Sequence, residues 1–184
     1  MSRILATLGI VAMTVIMVGV GRTSLATSAQ DASASLEGHP LVGSWVAVTP
    51  FGAAAETLGA DGSFVAGYSP TETGPLGPAF LSSGVGVWES TGELSGRFTS
   101  VQALTDVAGV FLGTLTIDGH LEVSNDGQTF VDDSPETTLT YRDAEGAVVL
   151  AVSPYADGSG SMAPVTGTKM AVGEPGIPAA TPSS

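Results

Sequence analysis

The stretch HLEVSNDGQTFV, residues 120–131, reads as two β-strands joined by a tight turn. At its centre, Asn125-Asp126-Gly127 supplies the residue types that tolerate the positive φ a short hairpin needs. Residues 120–124 lead into the turn and residues 128–131 answer it. The same grammar repeats outward in both directions. Toward the C-terminus, residues 137–142 alternate, with Leu139 and Tyr141 on one face and Thr138, Thr140 and Arg142 on the other. Asp143-Ala144-Glu145-Gly146 then turns the chain into a continuous apolar run at 147–152, and residues 165–170 form a last strand.

Toward the N-terminus, Asp118-Gly119 is expected to separate residues 120–124 from a strand at 110–117. Further strands fall at 94–104, 84–89, 63–68, 56–58 and 41–49, with turns at Ser90-Thr91-Gly92 and Ala60-Asp61-Gly62. Residues 69–83 carry Pro70, Pro75 and Pro78 and read as a long irregular loop, of the kind that is usually a lid or disordered. No window of helix length repeats its apolar residues at helical spacing after residue 34. About eight to ten short strands with hairpin links make the domain all-β, a sandwich or an antiparallel up-and-down β-barrel.

The ends differ from this pattern. Met1-Ser2-Arg3 precedes an uncharged apolar run at 4–20, followed by the small-residue patterns Thr27-Ser28-Ala29 and Ala32-Ser33-Ala34. This is the layout of a secretory signal peptide over residues 1–34, which implies a secreted, extracellular protein. A retained membrane anchor is the alternative, although a helix of that length spans roughly 25 Å against a hydrocarbon core of roughly 30 Å. The domain is expected over 35–172, and 173–184, with Pro175, Pro178 and Pro182, reads as a disordered tail. Without residues 1–34 the basic residues fall from five to three (Arg97, Arg142 and Lys169) and the acidic ones from eighteen to seventeen, a net charge of −14. So few cations argue against nucleic acid and against anionic membrane surfaces as partners. There is no cysteine, so disulfides and a lipid-modified cysteine are excluded.

Gly43-Ser44-Trp45 opens the first strand and Gly167-Thr168-Lys169 lies in the last. A G-x-W start with a basic residue in the closing strand resembles the calycin superfamily, which includes lipocalins, fatty-acid-binding proteins and avidins. The order of A-D-G-x-F (residues 60–64), G-V-W-E (86–89) and G-T-L (113–115) between them resembles secreted bacterial lipocalin-like domains of unassigned function. The resemblance spans residues 41–170 and implies a closed barrel. It assigns Gly43, Trp45 and Lys169 to barrel closure, with the Lys169 cation over the Trp45 ring in place of the family's usual arginine. It implies a ligand cavity, at whose mouth Trp88, Tyr68 and Phe80, beside the proline-rich segment, are expected. Plain packing is the competing reading for both tryptophans, and a solvated strand end for Lys169.

Chemistry is sparse. There is no G-x-S-x-G elbow, and His39 and His120 are the only imidazoles, so no catalytic group is assigned. Two histidines and no cysteine do not make a zinc site, and nothing calls for a cofactor. Asp132-Asp133-Ser134-Pro135-Glu136 is the densest acidic stretch and reads as a solvated turn, with a weak calcium site as the alternative. Three functions remain in view. The first is a secreted carrier for a small apolar ligand in the barrel. The second is a barrel enzyme of cyclase or isomerase type, expected to point Glu89 or Glu122 inward. The third is a cell-surface structural or interaction module with a filled core. No patch marks a self-association face.

Overall fold

The computed structural model describes residues 36–156 and 162–173; the expected signal peptide and the tail beyond residue 173 lie outside them. Twelve strands follow one another: β1 Gly43–Thr49, β2 Gly52–Leu58, β3 Ser63–Gly67, β4 Thr71–Gly74, β5 Gly77–Leu81, β6 Gly84–Ser90, β7 Ser95–Thr105, β8 Phe111–Val123, β9 Thr129–Asp132, β10 Thr138–Asp143, β11 Val148–Val152 and β12 Val165–Lys169. Eight of them close an antiparallel barrel in the cyclic order β1-β2-β3-β6-β7-β8-β9-β12, the ring completed by the β1–β12 and β7–β8 pairings. Every barrel neighbour is therefore the next barrel strand along the chain. That is the up-and-down arrangement, and full closure removes the exposed edges an open sheet would carry.

Two hairpins interrupt the ring. β4–β5 is inserted between β3 and β6, and β10–β11 between β9 and β12. Both leave from the same end of the barrel, the end where β1 finishes. There β7 and β8 run on beyond their barrel neighbours, β5 pairs with the far part of β7, and β10 pairs with the first half of β8. The result is a wall of order β4-β5-β7-β8-β10-β11 standing on one side of the rim. Ala79, Leu104, Leu115 and Tyr141 form its buried core, with Leu81, Leu112, Ile117 and Leu139 against them. The wall curls: the Tyr141 hydroxyl on β10 donates to Glu72 Oε2 on β4 at 3.1 Å, across three intervening strands.

Two expectations are corrected. Residues 69–83 are not a structureless loop but the β4–β5 hairpin; the prolines sit beside or at its ends, and Pro78 lies where β5 pairs only with the edge strand β4. Asp118-Gly119 is not a turn, because β8 runs through it. Gly119 faces Phe98 in the β7 ladder, and a Cβ there would stand 2.2 Å from the Phe98 ring. The glycine makes room for an aromatic ring, while the Asp118 carboxylate accepts from Thr99 on β7 and Thr138 on β10. The apolar run at 147–152 forms β11, which pairs with β10 alone, and every residue of it is exposed.

The end where β1 begins is solid. Trp45 is fully buried; its Nε1 donates to Leu41 O at 2.9 Å and its ring meets Phe130 edge-on at 5.1 Å. Lys169 Nζ stands 5.1 Å from the Trp45 ring centroid and donates to Pro40 O at 2.8 Å. Gly43 is needed here twice over: its φ is 138°, and a Cβ would come within 3.0 Å of the Lys169 side chain. Leu36 and Leu41 from the lead-in cap the same end, above Phe64 and Phe98 stacked at 4.3 Å. Emptying this plug leaves a cavity that rigid strands cannot collapse. Trp45→Ala is expected to cost about 3–5 kcal/mol of stability. A urea unfolding midpoint unmoved by that substitution would show that the closed end does not hold the barrel together.

Candidate functional site

The inward positions of the barrel strands change character from the closed end to the open end. On β3 the series is Phe64, Ala66; on β1 it is Trp45, Ala47; on β2 it is Leu58, Glu56, Ala54. β7 turns in Phe98, Ser100 and Gln102, and β9 turns in Phe130 and then Asp132. Large aromatic rings thus fill the lower half, and alanines with a few polar side chains line the upper half. Small side chains cannot meet across a barrel of eight strands, so space remains above the rings.

That space is a cavity. Its volume is about 100 Å³, below the roughly 300–1,000 Å³ common for drug-sized ligand pockets, so only a small occupant fits. Phe98 and Leu121 make the floor, and Leu81, Leu115, Ile117, Leu139 and Val165 make the apolar sides. Pro50, Phe51, Tyr155 and Met162, from the connections β1–β2 and β11–β12, complete the lining.

Polar groups are few and specifically placed. Glu56 is buried, 5 % exposed, and its Oε2 has no hydrogen-bond partner. Burial, and then the nearby charge of Asp132, pushes its carboxyl up to about 8. Asp132 occupies a gap in the sheet. β9 pairs with β8 only at Glu122 and Val123, β10 picks up β8 again at Asp118, and between them the His120 N–H donates to Asp132 Oδ2 at 3.2 Å. Its other oxygen accepts from the Thr137 hydroxyl at 2.6 Å. Burial raises the Asp132 carboxyl as well, opposed by these hydrogen bonds. On the wall, burial raises Glu72 and the Tyr141 hydroxyl bonded to it. Tyr68 is raised by burial and then by Glu56.

Of the three residues expected at the mouth, Tyr68 lines this cavity and the other two do not. Trp88 lies at the closed end, buried, its Nε1 donating to Gly59 O at 2.7 Å and its ring 5.5 Å from that of His39. It follows the proline-rich segment in sequence, but β6 travels away from the mouth and carries it the length of the barrel. Phe80 is on the outer face of β5, between the inward Ala79 and Leu81, and is 45 % exposed. Glu89 and Glu122 also face out, Glu89 in an exposed ion pair with Arg97. Of the acidic stretch 132–136, Asp132 faces in, while Asp133 and Glu136 are exposed and Glu136 lies 3.6 Å from His120. Among the described residues no group of three or more His, Cys, Asp or Glu is placed to hold a metal ion.

Glu56 is absent from the residues the sequence singles out, and Asp132 is expected there only in a solvated turn or a weak calcium site, not facing into the barrel. A signal for Glu56 existed, because Ala54, Glu56 and Leu58 alternate and two of the three are apolar. No family model, curated protein or solved structure matches the chain.

The raised Glu56 carboxyl has a consequence for stability. Below the unfolded value near 4.5 both states are protonated and nothing is lost. As pH rises from there to about 8, the unfolded chain releases a proton that the folded barrel keeps, so stability falls. The slope approaches about 1.4 kcal/mol per pH unit for one proton. Glu56→Gln should flatten that slope and stabilise the protein near pH 8, with little effect near pH 4.5. Parallel urea titrations of both proteins across this range test it; equal slopes would place the proton elsewhere.

Proposed function

We propose that this protein is an exported binder of a small molecule with a largely apolar body, held in the open half of the barrel. The observation that carries the reading is the cavity between Phe98, Leu115, Ile117, Leu121 and Leu139, open at the end opposite the Trp45 plug. The resemblance of the Gly43-Ser44-Trp45 start and the Lys169 closure to lipocalin-like barrels supports it, as does the signal-peptide layout of residues 1–34. The wall built by the two inserted hairpins lengthens the apolar side of the mouth, which suits a binding cleft better than a filled structural module.

A second reading has one observation in its favour. A carboxyl held protonated near neutrality inside a cavity is placed to act as a general acid or base, as a barrel enzyme of cyclase or isomerase type would require. Neither reading needs a metal or cofactor.

The binding reading is tested with a neutral environment-sensitive dye such as N-phenyl-1-naphthylamine. Saturable uptake at one site is expected, abolished by Leu115→Trp, which fills the cavity, and unchanged by Trp88→Phe at the closed end. Uptake indifferent to Leu115→Trp would remove the cavity from the account.

A further inference from the structure

The cavity has an imbalance of hydrogen-bonding groups. Glu56 Oε2, Glu72 Oε1 and Gln102 Oε1 are buried without a partner, and all three residues line this one space. Gln102 Oε1 is an acceptor as it stands, and the two carboxyl oxygens become full acceptors when an occupant's cation ionises them. Asp132 adds a fourth acceptor group at the same depth. Against them the described basic side chains are all engaged elsewhere. Arg97 pairs with Glu89 outside the barrel, Arg142 donates to Gly146 O at 3.2 Å, and Lys169 is committed to Trp45 and Pro40 at the closed end. A buried acceptor with no donor is costly, more so when it is charged, so donors brought by an occupant would be strongly favoured.

Resting on the reading of the cavity as a ligand site, we propose that the occupant is a small amine. Its protonated nitrogen donates to Glu56 Oε2 and to Asp132, and its apolar body lies against Phe98, Ile117 and Leu121. A carboxylate ligand is disfavoured by the same geometry, since its charge would face Glu56, Asp132 and Glu72 with no cation between them. The titratable groups around the nitrogen are Asp132 from β9 and Tyr68 at the end of β3. Behind Asp132 stand His120 of β8 and Tyr155, and Glu72 and Tyr141 face the space from the wall. Because burial keeps Glu56 protonated in the empty barrel at neutral pH, seating an ammonium beside it expels that proton. Binding should therefore release up to about one proton per amine.

The experiment is calorimetric titration of the protein with hexylamine, 1-hexanol and hexanoate near neutral pH, in two buffers of different ionisation enthalpy. The neutral dye serves as a reporter of cavity access. Hexylamine is expected to bind at least about ten-fold more tightly than hexanol, corresponding to about 1.4 kcal/mol, and hexanoate more weakly than either. Glu56→Gln should lose that advantage and the proton release while leaving hexanol within about two-fold. Asp132→Asn is the second variant, expected to weaken hexylamine alone. If the dye enters but hexanol or hexanoate matches hexylamine, or if Glu56→Gln weakens amine and alcohol alike, the amine proposal is overturned and the cavity reading survives. If neither the dye nor any of the three ligands binds, the cavity reading fails and the proposal falls with it.

Discussion

The ladder between β7 and β8 runs from Ser95 opposite Glu122 to Thr105 opposite Phe111, and it serves two structures at once. Its first half closes the barrel between β6 and β9. Its second half has lost those neighbours and takes β5 and β10 instead, which raises the wall. One pair of long strands therefore sets both the ring and the depth of the cleft above it. Gly119 lets the ladder pass over the Phe98 ring without a break, and Asp118 ties β8 to a threonine on each side.

The change of strand partners along β8 also explains why a carboxylate is found inside. Where β9 stops and β10 has not begun, the His120 N–H lacks a strand carbonyl, and Asp132 supplies the acceptor. Satisfying that backbone group brings a negative charge to the cavity edge, close enough to raise Glu56. The site chemistry thus grows from a sheet irregularity combined with ordinary alternation on β2. Among the described residues no cation is spare for these acids, because the lysine seals the opposite end and both arginines are engaged outside the cavity.

Much of the fold was legible in residues. Turn chemistry and period-2 alternation located most of the barrel strands, and the hairpin at Asn125-Asp126-Gly127 is formed as read, with the Gly127 N–H bonded to Ser124 O at 2.8 Å. The errors had a common source. Proline and glycine signal turns and loops by their local preferences, whereas Pro78 and Gly119 are explained by what lies beside them. Pro78 is on an outer hairpin and Gly119 is under a ring. The site was less legible still: Tyr68 reaches the cavity, but Trp88 was assigned by its nearness in sequence to a loop, and strand direction carried it to the other end.

By itself, the sequence determined an all-β chain and the approximate strand positions, because both follow from short-range steric preference and from period-2 burial, whereas Gly43, Trp45 and Lys169 were pointed to by a resemblance. Only the tertiary structure decided which strands exchange partners at β8, which end stays open, and that two carboxylates share its interior. Those outcomes depend on residues far apart in the chain, Glu56 and Asp132 above all, meeting across a closed ring. Alternation specifies that a side chain faces inward but not what it will face there.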